Sequence, residues 1–156
     1  YMAEKGVWLS TQPFLAEEGS QFPPGSVQYL KQKEVLDGTE RIYALVRKHR
    51  IRTAFGTDIL FSEAKARRQG ALLAGMTRWF TPAEVLRMAT STNGELLALS
   101  GLRSPYEGKL GVIEPGALAD LLLVDGDPIA NIELLADPER NLRVIMKDGR
   151  IYKDRR

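Results

Sequence analysis

Asp58 is the side chain in this sequence best placed to do chemistry. It closes the run Arg52-Thr53-Ala54-Phe55-Gly56-Thr57, which has the composition of a buried strand and ends on small residues. In α/β barrels and open parallel sheets, reactive groups collect where strands end and loops begin. A carboxylate there can ligate a metal or take a proton from an activated water. Asp is also a frequent cap for the helix that follows. On the residues alone both roles stay open.

Counting removes most other chemistries. The chain holds one His and no Cys, whereas a catalytic zinc takes three protein ligands drawn mostly from His, Cys and carboxylate. A complete His-rich or Cys-rich site cannot be built from these residues, and disulfides, zinc fingers and cysteine nucleophiles are excluded. His49 lies in Val46-Arg47-Lys48-His49-Arg50 near the end of a helical pattern, where the helix dipole favours it and its basic neighbours oppose a bound cation. It reads as structural. Ser10-Thr11-Gln12, Ser62 and Ser91-Thr92 offer hydrogen bonds. No Gly-x-Ser-x-Gly elbow, Gly-x-Gly-x-x-Gly or P-loop pattern accompanies them. The 22 Lys and Arg against 20 Asp and Glu leave a net charge of +2, too small to call for a polyanion. The basic clusters Arg67-Arg68 and Lys153 to Arg156 carry no interleaved aromatic to stack on bases, so no nucleic-acid partner is expected. The longest apolar runs, such as Leu121 to Val124, fall far short of the roughly 20 residues that span a bilayer, so no membrane partner is expected either.

The elements that must position Asp58 follow from pattern. Val7-Trp-Leu-Ser-Thr11 is a short β-rich run, entered from a Lys-Gly that suits a helix end. Gln12 to Ser26, with three prolines and two glycines, reads as a long loop of the kind that is usually functional. Val27 to His49 alternates at helical spacing, with Gly38 as an expected kink or break, and reads as one long helix or two shorter ones. The strand before Asp58 comes next, and Ser62 to Ala74 is helical in composition. Thr81-Pro82-Ala83-Glu84 combines a capping Thr, a Pro at the first helical position and a Glu able to close a capping box, so a helix over 82–89 is expected. Thr90 to Asn93 is expected to interrupt it before a short helix over 94–99. From Gly101 onward, Gly and Pro punctuate strand-like runs at 119–124 and 142–146, and Asp148-Gly149 is a two-residue hairpin signal. Strand and helix alternating over 7–99 argue for βα units of a parallel sheet. Two units do not make a stable one, so the pattern reads as the end of a larger α/β domain.

Four segments together carry a resemblance: Phe55-Gly56-Thr57-Asp58, Thr81-Pro82-Ala83-Glu84-Val85-Leu86, Ala89-Thr90-Ser91-Thr92-Asn93, and Gly111-Val112-Ile113-Glu114-Pro115-Gly116-Ala117-Leu118-Ala119-Asp120-Leu121. In this order and spacing the chain resembles the C-terminal portion of the amidohydrolase superfamily, closest to its imidazolonepropionase-like and Xaa-Pro dipeptidase-like members. The resemblance implies an α/β fold. Residues 1–100 would supply strands seven and eight of a (β/α)8 barrel with their helices, and 101–156 the C-terminal part of a small β-sandwich. It implies a hydrolase of amide or peptide bonds that uses one or two divalent metals, usually zinc. Asp58 would then be a metal ligand that also shuttles a proton from the attacking water to the leaving amine. Trp8, Thr11 and Phe14 with the loop to Ser26, and Ile59, Leu60 and Phe61 after strand eight, would border the mouth of the barrel and shape the pocket.

By the same resemblance, the remaining metal ligands would lie before Tyr1. The expected partners are therefore the N-terminal remainder of the enzyme and a small-molecule or dipeptide substrate, with homo-oligomerisation left open, and the isolated chain is expected to be inactive. A cytoplasmic location is expected, with the periplasm compatible. The competing reading is an autonomous small α/β binding module without catalysis.

Overall fold

The computed structural model describes residues 1–13, 22–60 and 62–156. A first turn of helix, α1 (Met2–Lys5), ends at Gly6 in the left-handed region and leads into β1 (Leu9–Ser10). A 23-residue helix, α2 (Val27–His49), crosses to β2 (Thr53–Ala54). The two strands run parallel in the register Leu9↔Thr53 and Ser10↔Ala54. The ladder extends one step at each end, from Leu9 N–H to Arg52 O (2.8 Å) and from Thr11 N–H to Ala54 O (2.9 Å). Both strands are shorter than the sequence suggests, since a buried strand needs partners on both edges to extend.

The Ser26 hydroxyl caps α2 by accepting from Tyr29 N–H, and Arg50 closes it in the left-handed region. Gly38 does not break the helix, so of the two readings the single long helix holds. Its neighbours Thr39, Ile42, Tyr43 and Val46 keep one face against the rest of the fold, and tertiary packing of that face outweighs the roughly 1 kcal/mol that an interior Gly costs.

The stretch over 62–74 is not one helix but two, α3 (Glu63–Ala66) and α4 (Gln69–Gly75), followed by a 3₁₀ turn over Met76–Arg78. Next comes α5 (Pro82–Arg87), with the capping box as read: Glu84 N–H donates to the Thr81 hydroxyl and Thr81 N–H donates to the Glu84 carboxylate at 2.7 Å. Residues 88–92 do not interrupt the rod. They form a π-turn that continues into α6 (Asn93–Ala98), because a widened turn keeps the backbone hydrogen-bonded while inserting one residue.

A second sheet is antiparallel, with β3 (Leu121–Val124), β4 (Leu142–Lys147) and β5 (Arg150–Asp154) in sequence order, and a short helix α7 (Pro138–Asn141) before β4. Asp148 and Gly149 both take positive φ, 50° and 73°, as the expected two-residue hairpin requires. The core joins Tyr43 and Val46 of α2 to Ala74, Met76, Phe80, Val85, Met88 and Ile132. Tyr43 lies 4.5 Å from the Trp79 ring and edge-on to Phe80 at 5.7 Å. Leu122, Leu123, Ile151 and Tyr152 of the antiparallel sheet stay exposed. Among the described residues no helix is long and apolar enough to cross a membrane.

The helix α4 meets the 3₁₀ turn over 132–136 so closely that a Cβ on Gly70 would collide with the Leu135 carbonyl. Gly70→Ala is therefore expected to lower stability by about 1–3 kcal/mol through overpacking against backbone. Gly38→Ala has no described atom within 4 Å of its new methyl and is expected to raise stability by up to about 1 kcal/mol. Thermal unfolding of the two variants should show opposite signs.

Candidate functional site

Because β1 and β2 are parallel, the segments that follow them leave the sheet at the same edge. Thr11 stands one residue past β1 and Phe55-Gly56-Thr57-Asp58 follow β2 directly. Thr11 is only 1% exposed, and its hydroxyl makes two bonds to the backbone of one residue: it accepts from Gly56 N–H at 3.0 Å and donates to Gly56 O at 3.2 Å. The Tyr43 hydroxyl faces Thr11 and the Gln12 backbone, and burial pushes its pKa up. From the other side, the Asn93 amide donates to Phe55 O at 3.0 Å, and Phe55 N–H donates to Met88 O at 3.4 Å.

This clamp ends two residues short of Asp58. Asp58 itself is exposed and takes φ 53°, a left-handed conformation that Asp tolerates better than most residues. Among the described residues no donor reaches its carboxylate. Nor does it cap the next helix: Ser62 does, accepting from Lys65 N–H at 3.3 Å. The capping role that the sequence left open thus belongs to another residue, and the exposed Asp58 has no carboxylate partner among the described residues.

The other sequence-predicted positions divide. Ile59 is half-buried and Leu60 exposed beside Asp58, while Phe14 and Phe61 lie outside the described residues. Thr11 is at the same strand end as Asp58, and its hydroxyl is engaged by the Gly56 backbone and faced by the Tyr43 hydroxyl. Trp8 precedes β1 and stacks with the Arg52 guanidinium, 5.1 Å from ring centroid to carbon. That places it at the opposite strand end from Asp58, beside a cavity of about 520 Å³ bordered also by Arg47, Arg50 and Glu84. His49 is exposed at the end of α2. No group of three His, Cys, Asp or Glu able to hold a metal occurs among the described residues.

Asn93 was not singled out by sequence reasoning as a site residue. By regular α-helical spacing it falls off the inward face that carries Val85 and Met88. Only the extra residue in the π-turn brings it round to Phe55. The one local signal was a Ser/Thr/Asn run inside a strong helical pattern.

The motif ending Ala119-Asp120-Leu121 contributes a second carboxylate, and it is fully engaged. Asp120 accepts from Asp148 N–H at 2.7 Å and from the Lys147 ammonium at 2.9 Å, while Gly149 N–H donates to Ala119 O. The motif therefore pins the β4–β5 hairpin. The loop before it also presses on the π-turn: a Cβ on Gly111 would strike the Thr90 carbonyl, and one on Gly94 the Leu110 carbonyl.

The model of the amidohydrolase family matches residues 1–152. The chain belongs to the amidohydrolase family. No match was found among curated proteins. Among solved structures, an amidohydrolase is 29% identical with a TM-score of 0.79, the match covering 98% of this chain and 36% of that one. A Xaa-Pro dipeptidase with methionine bound in its active site is 26% identical with a TM-score of 0.74, covering 97% and 36%. A prolidase complexed with N-methylphosphonate-L-proline shares the fold at 24% identity and a TM-score of 0.78, covering 98% and 36%. This amidohydrolase chain thus spans about 36% of the length of these relatives.

The Asp148 N–H first, and the Lys147 ammonium second, hold the Asp120 carboxyl below its ordinary value of 3.8. Because the folded value is the lower one, the stability it contributes is complete above the unfolded value and disappears as pH falls through the folded one. Carbon-detected titration of Asp120 should give a midpoint below 3.8. Lys147→Met should raise that midpoint only partway, since the backbone donor remains.

Proposed function

We propose that residues 1–156 form the C-terminal part of a metal-dependent amidohydrolase that cleaves an amide or peptide bond in a dipeptide-like substrate. The observation that carries this reading is the Asp58 carboxylate, held on a clamped strand end, exposed, and without a donor among the described residues. The Xaa-Pro dipeptidase at 26% identity supports the substrate class. On this reading β1 and β2 are strands seven and eight of a (β/α)8 barrel within residues 1–100, and residues 101–156 are the C-terminal part of a β-sandwich. Two parallel strands of two residues each, and apolar side chains exposed on the antiparallel sheet, suit a chain whose other layers come from the remainder of the enzyme.

The described donor set does not amount to a metal centre. Asp58 fits as a single ligand, with the others supplied by that remainder. A divalent metal such as zinc, when bound, would supply Lewis-acid polarisation of the scissile carbonyl and an acidified water. What this chain contributes is the proton path. Water adds to the carbonyl carbon, Asp58 Oδ takes its proton, and the same proton passes to the leaving amine nitrogen as the C–N bond breaks. Ile59 and Leu60, next in sequence, would border the substrate beside Asp58.

Full-length protein carrying Asp58→Asn should lose about 10²–10⁴-fold in turnover of the best substrate from a panel of dipeptides and cyclic amides, the range expected for a displaced general base. Its circular dichroism should be unchanged. Turnover within a few-fold of the unaltered protein would reject Asp58 as the catalytic group. A folded, monomeric 156-residue chain with no upstream polypeptide and no metal would favour a binding module instead.

A further inference from the structure

We infer that Thr11 and Asn93 are positioning residues for Asp58, acting through the peptide groups of Phe55 and Gly56; this rests on the reading of Asp58 given above. Past Ala54 the strand ladder ends, and the backbone polar groups of the next two residues need partners from elsewhere. All four have them. Phe55 N–H goes to Met88 O and Phe55 O to the Asn93 amide. Gly56 N–H and O both go to the Thr11 hydroxyl. Two of these four bonds come from the hydroxyl of one buried side chain that lies 45 residues away in sequence.

The fit is tight as well as bonded. A Cβ on Gly56 would come 2.6 Å from Ser10 Oγ and 3.1 Å from Thr11 O, so the segment has no slack toward β1. On its other side Asn93 reaches Phe55 only because the π-turn over 88–92 inserts one residue. Without that residue the side chain would rotate by about 100° around the helix. The segment is fixed from both sides up to Gly56, and the chain then turns through Thr57 into the positive φ of Asp58. A residue in that region persists where its surroundings over-determine it. The two side chains thus aim a carboxylate that neither of them touches.

The test compares Thr11→Val, which keeps the shape and removes the hydroxyl, with Thr11→Ser, which keeps the hydroxyl, and with Asn93→Ala, all in the full-length protein. Thr11→Val and Asn93→Ala should each lower kcat about 10–100-fold, the usual effect of removing a partner that orients a reactive group, while KM changes less than about twofold, as for loss of an interaction made only in the transition state. Thr11→Ser should stay within about threefold of the unaltered protein. Independently of turnover, amide hydrogen exchange over Gly56–Asp58 should rise about tenfold in Thr11→Val and not in Thr11→Ser, with the rest of the chain unchanged. If Thr11→Val fails to fold, Asn93→Ala carries the same comparison from the other side of the segment. Unchanged exchange at Gly56–Asp58, or a kcat that holds in both variants while Asp58→Asn remains inactive, would overturn the positioning role and leave the hydrolase reading intact. An active Asp58→Asn variant would remove that reading, and the exchange result would then stand alone as a statement about the segment.

Discussion

The double hydrogen bond between the Thr11 hydroxyl and the Gly56 backbone is the constraint on which the rest of this structure depends. A parallel pair cannot be closed by a tight turn, and here the crossover is a 23-residue helix. Two-residue strands supply few ladder bonds to hold the register over such a connection. Thr11 adds two more just past the strand ends, and they fit one register only. A slip by one residue would turn the threonine to the opposite face of β1 and leave both the hydroxyl and the Gly56 backbone unpaired in a buried place, at a cost of about 1–3 kcal/mol for each unsatisfied group. Register, the approach of β2 to β1 and the direction in which the chain leaves β2 are therefore decided together.

A second layer supports this pair. The long helix meets the capped helix that follows through Arg47, whose guanidinium donates to Trp79 O at 2.7 Å and lies 3.5 Å from Glu84. Glu84 is also the residue that closes the capping box, and its pKa is held down by Thr81 N–H first and by the Thr81 hydroxyl and Arg47 after it. One carboxylate thus fixes the start of α5 and its angle to α2. From there the rod runs through the π-turn to Asn93. The loop over 108–118 closes on that turn at Gly94 and Gly111, where only glycine leaves room. The β-rich part of the chain therefore bears on the Asp58 segment through a continuous path of packed backbone.

What was legible in the sequence was local. The capping box at Thr81, the helix end at Gly6, the Asp148-Gly149 turn and the long amphipathic helix each involve residues within a few positions of one another, and each is present. The expected break at Gly38 is absent because the partners that outweigh a glycine, such as Met76, Phe80 and Val85, come from elsewhere in the chain. Thr90 to Asn93 reads as a helix breaker by composition and instead adopts a widened helical turn. In the same way, Thr11 was legible as a residue at the correct strand end and not as a clamp, because its partner is 45 positions away. The α/β class and family membership could be reached from ordered motifs. The geometry that distinguishes a positioning side chain from a pocket lining could not.

Asp58 and Asp120 make the functional argument sharpest by contrast. Both sit in motifs that carry the family resemblance, and both are aspartates beside short strands. Asp120 has a backbone donor and a lysine, its pKa is lowered accordingly, and its role is complete within this chain: it holds a hairpin. Asp58 stands in a left-handed conformation at the end of a segment whose preceding peptides are bonded on both sides, yet its carboxylate bonds to nothing among the described residues and the nearby cap is made by Ser62. Contacts among the described residues account for the order of this segment up to Gly56 and not for the carboxylate that follows it. On the proposed reading, that order serves to hold the Asp58 carboxylate in place for a metal or a reacting proton.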